Sequence, residues 1–468
     1  MKELLSISGS SIVVALNDRA YAILQSDSEK LQLVELSPPT SVQKYGENEN
    51  AQPQKQNENE NANSVEAVAS KWLQDKKILL CAVSRYDKYV SVYSLSLDES
   101  LDDADEDKVQ VEPVLVAVHK TNKRSCALAF ADIPYEDKSK GSLDILVTAD
   151  LAGDVQAFPT ATAATGTSKS KKVHRLLLGH TASMLTAMKI VNGKIFTADR
   201  DEKVRISSFP QTFNVEGYLL GNTEYVTDMD VFGTDYTYCV TSSGDCSIRL
   251  WDTDKCTELA HVNVASEEDT DANSNAKEED APSEGNSSDD EKAATKKTMQ
   301  IPVRVAASKS GSLISVIYHD RNTVDLFAIE IDGNSARMEK VQSIECQNPL
   351  AVAFDSKDEL CVLTKEPDFL VRFAKNPEGN YAELKECKIS SAIREIGGKN
   401  QIIMPTSIVD IDEVTGTFKL QKNVHDERET YVEHKPWLRG NDRVQKHKDK
   451  ERRRKKRKWE SRQGSAAE

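Results

Sequence analysis

The chain has 468 residues, of which 38% are hydrophobic and 29% charged, and a net charge of −15. No apolar run approaches the ~20 residues of a membrane helix, and the eight cysteines are scattered, with no C-x-x-C pair and no histidines at metal spacing. These features exclude a helical membrane protein and argue against a disulfide or zinc scaffold, leaving reduced core thiols as the reading. Charge is blocked along the chain. Asp98–Asp107 holds seven acids and no base, Glu267–Glu291 eleven acids and one base, and Lys446–Lys458 ten bases and two acids. The net acidity therefore describes no single surface.

Short runs of strand-forming residues bounded by turn residues recur from the N-terminus onward. Ser and Gly interrupt the apolar residues of Met1–Gly9, which reads as a strand and not as a leader. A first unit, Leu4–Gln25, holds strands around Ile12–Ala15 and Ala20–Leu24. Lys44–Ser64 is rich in Asn, Glu and Gln and is expected to be a disordered loop. A second unit, Ile78–Leu97, holds Ile78–Ala82 and Val90–Tyr93, and a third spans about Val114–Thr160.

The fourth and fifth units resemble each other. Gly179-His180 is followed by Thr197-Ala198-Asp199-Arg200-Asp201-Glu202-Lys203-Val204-Arg205-Ile206. Gly221-Asn222 is followed by Thr241-Ser242-Ser243-Gly244-Asp245-Cys246-Ser247-Ile248-Arg249-Leu250-Trp251-Asp252. The openings lie 42 residues apart and the closing arginines 44 apart. A period in the low forties, with a Gly-His opening and a Trp-Asp close, is the WD-repeat signature. A sixth unit at Val303–Ile331 and a seventh near Leu350–Phe373 complete the count.

The expected fold is all-β: a single seven-bladed WD-repeat β-propeller over residues 1–420. Disordered insertions are expected at about 44–64, 98–108 and 265–298, and a basic tail, disordered or helical, at 421–468. Closure is expected to pair an N-terminal strand with the last blade, and Lys388–Phe418 to add a closing strand pair or a cap. In strongly marked repeats His, Asp, Ser/Thr and Trp form a hydrogen-bonded network. Here unit four offers His180 and Asp201 with Ser207 in the Trp position, and unit five offers Asp245 and Trp251 with Asn222 in the His position. Such buried polar groups are structural by default, so His180, Asp245 and Trp251 are assigned to the scaffold.

Catalytic signatures are missing from the sequence. There is no Gly-rich strand-to-helix turn, nucleophile elbow, H-E-x-x-H or P-loop, and Asp132-Ile133-Pro134-Tyr135 stands alone in a strand-rich context. No cofactor or metal is expected. Arg452-Arg453-Arg454-Lys455-Lys456-Arg457-Lys458 forms a nuclear-localisation-type cluster that also suits RNA phosphates, and nuclear localisation is expected.

One block is more specific. Leu176-Leu177-Leu178-Gly179-His180-Thr181-Ala182-Ser183-Met184-Leu185-Thr186 is followed by Asp199-Arg200-Asp201-Glu202-Lys203-Val204-Arg205-Ile206, then Pro210, Phe213, Leu220-Gly221-Asn222 and Glu224-Tyr225-Val226. This resembles the WD-repeat, non-catalytic subunit of the eukaryotic tRNA (guanine-N7)-methyltransferase. The match covers Gly153–Asp252, about a fifth of the chain, and departs from the family pattern at Asn222, in the long acidic insertion and in the more basic tail. The resemblance implies a non-enzymatic chain that forms a heterodimer with a catalytic subunit. That subunit binds S-adenosylmethionine and methylates N7 of a guanine in the tRNA variable loop; the propeller stabilises it and helps to hold the tRNA. It further implies that Arg205 faces an acid of the catalytic subunit, with Arg200, Asp201, Glu202 and Lys203 around it. The rival expectation is a general WD scaffold, in ribosome assembly or ubiquitin-ligase recruitment, because the fold serves many partners.

Overall fold

The computed structural model describes residues 3–9, 11–16, 18–25, 31–38, 64–96, 111–134, 142–160, 175–181, 183–264, 300–333, 335–365, 367–385, 388–400, 409–411 and 418–420. The expected insertions, apart from Ser64, lie outside these residues, as do the 421–468 tail and the cluster Arg452–Lys458.

Seven four-stranded antiparallel sheets form the blades, each from consecutive strands. Blade 1 is β1 (Leu5–Ser8), β2 (Ser11–Leu16), β3 (Arg19–Gln25) and β4 (Leu31–Glu35). Blade 2 is β5 (Val65–Leu73), β6 (Ile78–Arg85), β7 (Tyr89–Ser96) and β8 (Val114–Lys120). Blade 3 is β9 (Ser125–Pro134), β10 (Ser142–Asp150), β11 (Asp154–Pro159) and β12 (Arg175–Gly179). Blade 4 is β13 (Leu185–Val191), β14 (Lys194–Asp199), β15 (Lys203–Ser208) and β16 (Val215–Leu220). Blade 5 is β17 (Val226–Phe232), β18 (Tyr238–Ser243), β19 (Ser247–Asp252) and β20 (Thr257–Asn263). Blade 6 is β21 (Pro302–Ala307), β22 (Leu313–Tyr318), β23 (Thr323–Asp332) and β24 (Ser335–Glu345). Blade 7 is β25 (Pro349–Phe354), β26 (Leu360–Thr364), β27 (Leu370–Lys375) and β28 (Tyr381–Glu383).

First strands of neighbouring blades pack side by side around the axis, and fourth strands form the rim. Residue patterns follow this position. β2, Ser-Ile-Val-Val-Ala-Leu, is buried throughout, whereas β24 alternates exposed residues with half-buried ones and, at Ile344, a buried one. A sheet covered on both faces reads as a continuous apolar run, and one facing water on a side alternates. The apolar side chains collect between blades: one cluster each between blades 2 and 3, 3 and 4, 4 and 5, 5 and 6, and 6 and 7. A larger cluster spans blades 7, 1 and 2. Each blade is thus held by its neighbours, at about 25 cal/mol per Å² of apolar surface removed from water.

Two expectations are corrected. Val114–Lys120 opens the sequence's third unit but is the rim strand of blade 2, paired with β7. The Gly-His and Trp-Asp marks bracket a blade's first three strands, so the rim strand falls after the closing mark and reads with the next unit. Closure also differs. β1 pairs only with β2 among the described residues, and blade 7 has four strands of its own. The ring closes by side-chain packing of β1 and β2 against blade 7, without a shared strand. Both end blades are complete because the chain enters at an inner strand and leaves after a rim strand.

Helix α1 (Lys388–Asn400) covers this seam, packing on β27 and β4. Ile389 and Ile393 are buried and Ile396 is partly buried in the shared cluster, at helical i, i+4, i+7 spacing. Arg394 pairs with Asp368 of blade 7 at 2.8 Å. Beyond it, β29 (Val409–Ile411) and β30 (Phe418–Leu420) form a short hairpin. Among the described residues no helix is long and apolar enough to cross a membrane.

Candidate partner-binding surface on blade 4

The turn between β14 and β15 is built on a buried polar network. His180 Nδ1 donates to the Asp199 carboxylate at 2.8 Å, and in the neutral imidazole Nε2 then accepts from the Thr197 hydroxyl at 2.8 Å. The acid of this network is Asp199, not Asp201 as the repeat alignment implied. Asp199 follows Thr197 by two residues, so both side chains project from the same face of β14. The other Asp199 oxygen accepts the amides of Asp201 and Lys203, at 2.9 and 3.4 Å. Burial pushes the Asp199 carboxyl up, but the His180 hydrogen bond and the Lys203 charge outweigh it and hold it below the usual range. Gly153 lets the loop after β12 approach. Its carbonyl accepts the His180 amide at 2.9 Å, and at its φ of +96° a Cβ would lie 2.5 Å from the Ser183 carbonyl oxygen.

The structure separates the five residues grouped by the sequence. Arg200, Asp201 and Glu202 form the turn, with Asp201 and Glu202 exposed. Lys203 is turned inward, its Nζ 3.2 Å from Asp199. Arg205 sits two residues further along β15, half-buried and opposite Tyr218 of β16. Its Nε donates to Ser207 Oγ at 2.9 Å and its Nη2 to the Thr212 carbonyl at 3.1 Å. Both acceptors are neutral, and among the described residues Arg205 has no carboxylate partner. Three of its five guanidinium N–H groups remain unpaired there.

Around Arg205 lies apolar surface. The rim residues Leu176, Phe213, Val215, Tyr218 and Leu220 are five of the nine large exposed hydrophobics among the described residues, and Phe213 is 74% exposed. The Thr212 hydroxyl donates to the Leu177 carbonyl, tying the β15–β16 loop to the rim of blade 3. Arginine beside aromatic and aliphatic groups is the composition of a protein interface core. Leu176, Phe213 and Leu220 stand in or beside the family-like block of the sequence, whereas Val215 and Tyr218 are not singled out there. Their signal was available in Val215-Glu216-Gly217-Tyr218-Leu219-Leu220, where apolar residues occupy both strand faces although only Leu219 is buried.

The remaining scaffold residues are in blade 5. Trp251 is buried and its Nε1 donates to Thr241 Oγ1 at 2.9 Å. Asp245 accepts from the Thr223 and Ser247 amides, each at 2.9 Å, and caps its turn. Asp132 of the isolated tetrapeptide is engaged by Lys71 at 2.6 Å, and Tyr135 lies outside the described residues. Among the described residues no group of three His, Cys, Asp or Glu is arranged to hold a metal ion.

Comparison with known proteins bears on this surface. Residues 152–368 match the model of the tRNA methyltransferase TRM82 WD40 domain, a span that includes blades 4, 5 and 6 whole. This chain is similar to the WD-repeat non-catalytic subunits of tRNA (guanine-N7)-methyltransferases. The subunit named wdr4 from Danio rerio is 26% identical over 240 residues, 51% of this chain and 51% of that protein. WDR4 from Homo sapiens is 33% identical over 138 residues, 29% of this chain and 30% of that protein. TRM82 from Eremothecium gossypii is 32% identical over 185 residues, 36% and 38% of the two chains. The chain spans about half the length, or less, of the curated relatives it matches. The matched domain contains His180, Asp199, Arg205 and the rim around Phe213.

Proposed function

We propose that this chain is the non-catalytic subunit of a tRNA (guanine-N7)-methyltransferase. It binds and stabilises a separate catalytic subunit that uses S-adenosylmethionine to form N7-methylguanine in the tRNA variable loop. The observation that carries the reading is Arg205: a half-buried guanidinium bonded, among the described residues, only to neutral acceptors, ringed by exposed Tyr218, Leu220 and Phe213, inside the domain that matches the family. A planar fork with free N–H groups suits a carboxylate of the partner, and the apolar ring excludes water from that pair. The scaffold network through His180 and Asp199 fixes the strand that presents it.

The deciding experiment is methyl transfer to an unmodified tRNA transcript by this chain alone, by the catalytic subunit alone, and by the two co-expressed, with the modified guanine mapped by chain cleavage. Activity at the variable loop, confined to or far higher in the co-expressed sample, supports the reading. No gain from this chain, with both proteins folded, returns it to the general scaffold class. We further propose nuclear import through Arg452–Lys458. Replacing those seven residues by alanine in a fluorescent fusion should move the protein to the cytoplasm, and an unchanged nuclear signal would reject that role.

A further inference from the structure

A second surface lies two blades away, at the β6–β7 turn and the β8–β9 loop of blade 2. Register places Tyr89 opposite Lys120, which brings the segments Arg85–Tyr89 and His119–Arg124 together. The Lys88 carbonyl accepts both the amide and the hydroxyl of Thr121, at 2.8 and 3.0 Å, and the same hydroxyl lies 2.6 Å from the Lys123 carbonyl. These bonds fix the backbone beneath four cations: Lys88 and Lys120 exposed, Lys123 half-buried, Arg124 buried. Two tyrosines steady the cationic side chains. The Lys120 ammonium lies 5.6 Å from the Tyr89 ring centre, and the Arg124 guanidinium 4.7 Å from that of Tyr86. The single carboxylate within the two segments, Asp87, accepts the Tyr89 amide at 3.1 Å.

We propose that this cluster is an RNA phosphate-contact surface. The proposal rests on the methyltransferase-subunit reading, which supplies tRNA as the nucleic acid. Three physical points favour a phosphate backbone over an acidic protein. The cations gather in one tight surface on a chain of net charge −15, so they mark a local field and not a general one. The tyrosine faces are covered by cations, so they support charge presentation and not apolar burial. No large exposed hydrophobic lies in either segment, as an interface core for a protein partner requires. The surface would hold the RNA through charge without reading sequence.

The test uses the full chain and an unmodified tRNA transcript in a filter-binding titration across salt concentrations. The triple variant Lys88→Ala, Lys120→Ala, Lys123→Ala should bind about tenfold or more weakly in ~0.1 M salt, and its slope of log affinity against log salt should fall by about 2 to 3. A control with the same charge change, Lys255→Ala, Lys357→Ala, Lys375→Ala, should bind like the parent; these lysines lie at the opposite end of the blades. Unchanged affinity and slope in the first triple, an equal loss in the control, or wild-type binding to polyglutamate with none to tRNA would each overturn the proposal. Subunit affinity separates this result from the broader reading. Loss of RNA binding with catalytic-subunit binding retained supports the surface. If the wild-type chain binds tRNA through these lysines yet captures no catalytic subunit, the RNA surface stands and the methyltransferase reading falls.

Discussion

Blades 4 and 5 use equivalent positions to opposite ends. Arg205 and Arg249 occupy the same place, 44 residues apart in the repeat. Arg249 has its charge paired within its own blade: Nη1 meets Glu258 at 2.6 Å and Nη2 lies 3.6 Å from Asp245. Among the described residues Arg205 meets only a hydroxyl and a carbonyl. The polar network is divided in a complementary way. Blade 4 has His180, Asp199 and Thr197 but Ser207 in the tryptophan position, while blade 5 has Trp251 and Thr241 but Asn222 and Ser243 in the His and Asp positions. One blade has its charge closed internally and its core filled by an indole. The other has a rigid turn and an open charge. A repeat can therefore carry a site by omitting a partner that its neighbour retains.

The comparison breaks most severely at Trp251. Trp251→Ala leaves a large cavity between blades 4 and 5 and orphans the Thr241 hydroxyl, and should cost about 3–5 kcal/mol in urea unfolding. Arg205→Glu should weaken catalytic-subunit binding about 100-fold by titration calorimetry while moving the unfolding midpoint little, since it places a negative charge where a carboxylate is expected to dock. Unchanged affinity would remove Arg205 from the interface.

Arg249→Ala should do the reverse, costing about 1–3 kcal/mol of stability because Asp245 and Glu258 lose their cation, with subunit affinity retained. Asp199 gives the pH dependence. Its folded value lies below the roughly 3.9 of an unfolded aspartate, so its contribution is present above about pH 4 and is lost as pH falls through the folded value. Asp199→Asn should lower stability by about 1–2 kcal/mol at pH 7 and flatten the curve below pH 4. An equally steep acid limb in the variant would assign that limb to other carboxylates.

The smallest effect tests whether the missing network can be restored. Asn222 is buried, and among the described residues neither of its amide atoms is hydrogen-bonded. Asn222→His with Ser243→Asp should rebuild the His–Asp–Thr arrangement above Trp251 and raise stability by about 0.5–2 kcal/mol. A loss of stability would show that the loop before β17 cannot bring an imidazole into line.

The repeat period, the strand runs and the Gly-His and Trp-Asp marks determined the propeller and the count of seven, because each blade buries the same residues at the same offsets. The same marks located the stretch 199–206 as the distinctive text. Three matters needed the tertiary structure. Blade limits are offset from the units read in the sequence because the closing Trp-Asp mark ends the third strand, so the rim strand Val114–Lys120 reads with the wrong unit. The acid paired with His180 is Asp199 because β14 ends there, with Asp199 on the face of Thr197, while Asp201 lies past the strand end in the exposed turn. And the difference between Arg205 and Arg249, identical in local sequence pattern, lies in their surroundings. Glu258 reaches back from a neighbouring strand to one, while the other meets a rim strand of Tyr218 and Leu220. Sequence periodicity records which residues face the core; which charges find partners is decided by strands brought together only in the folded ring.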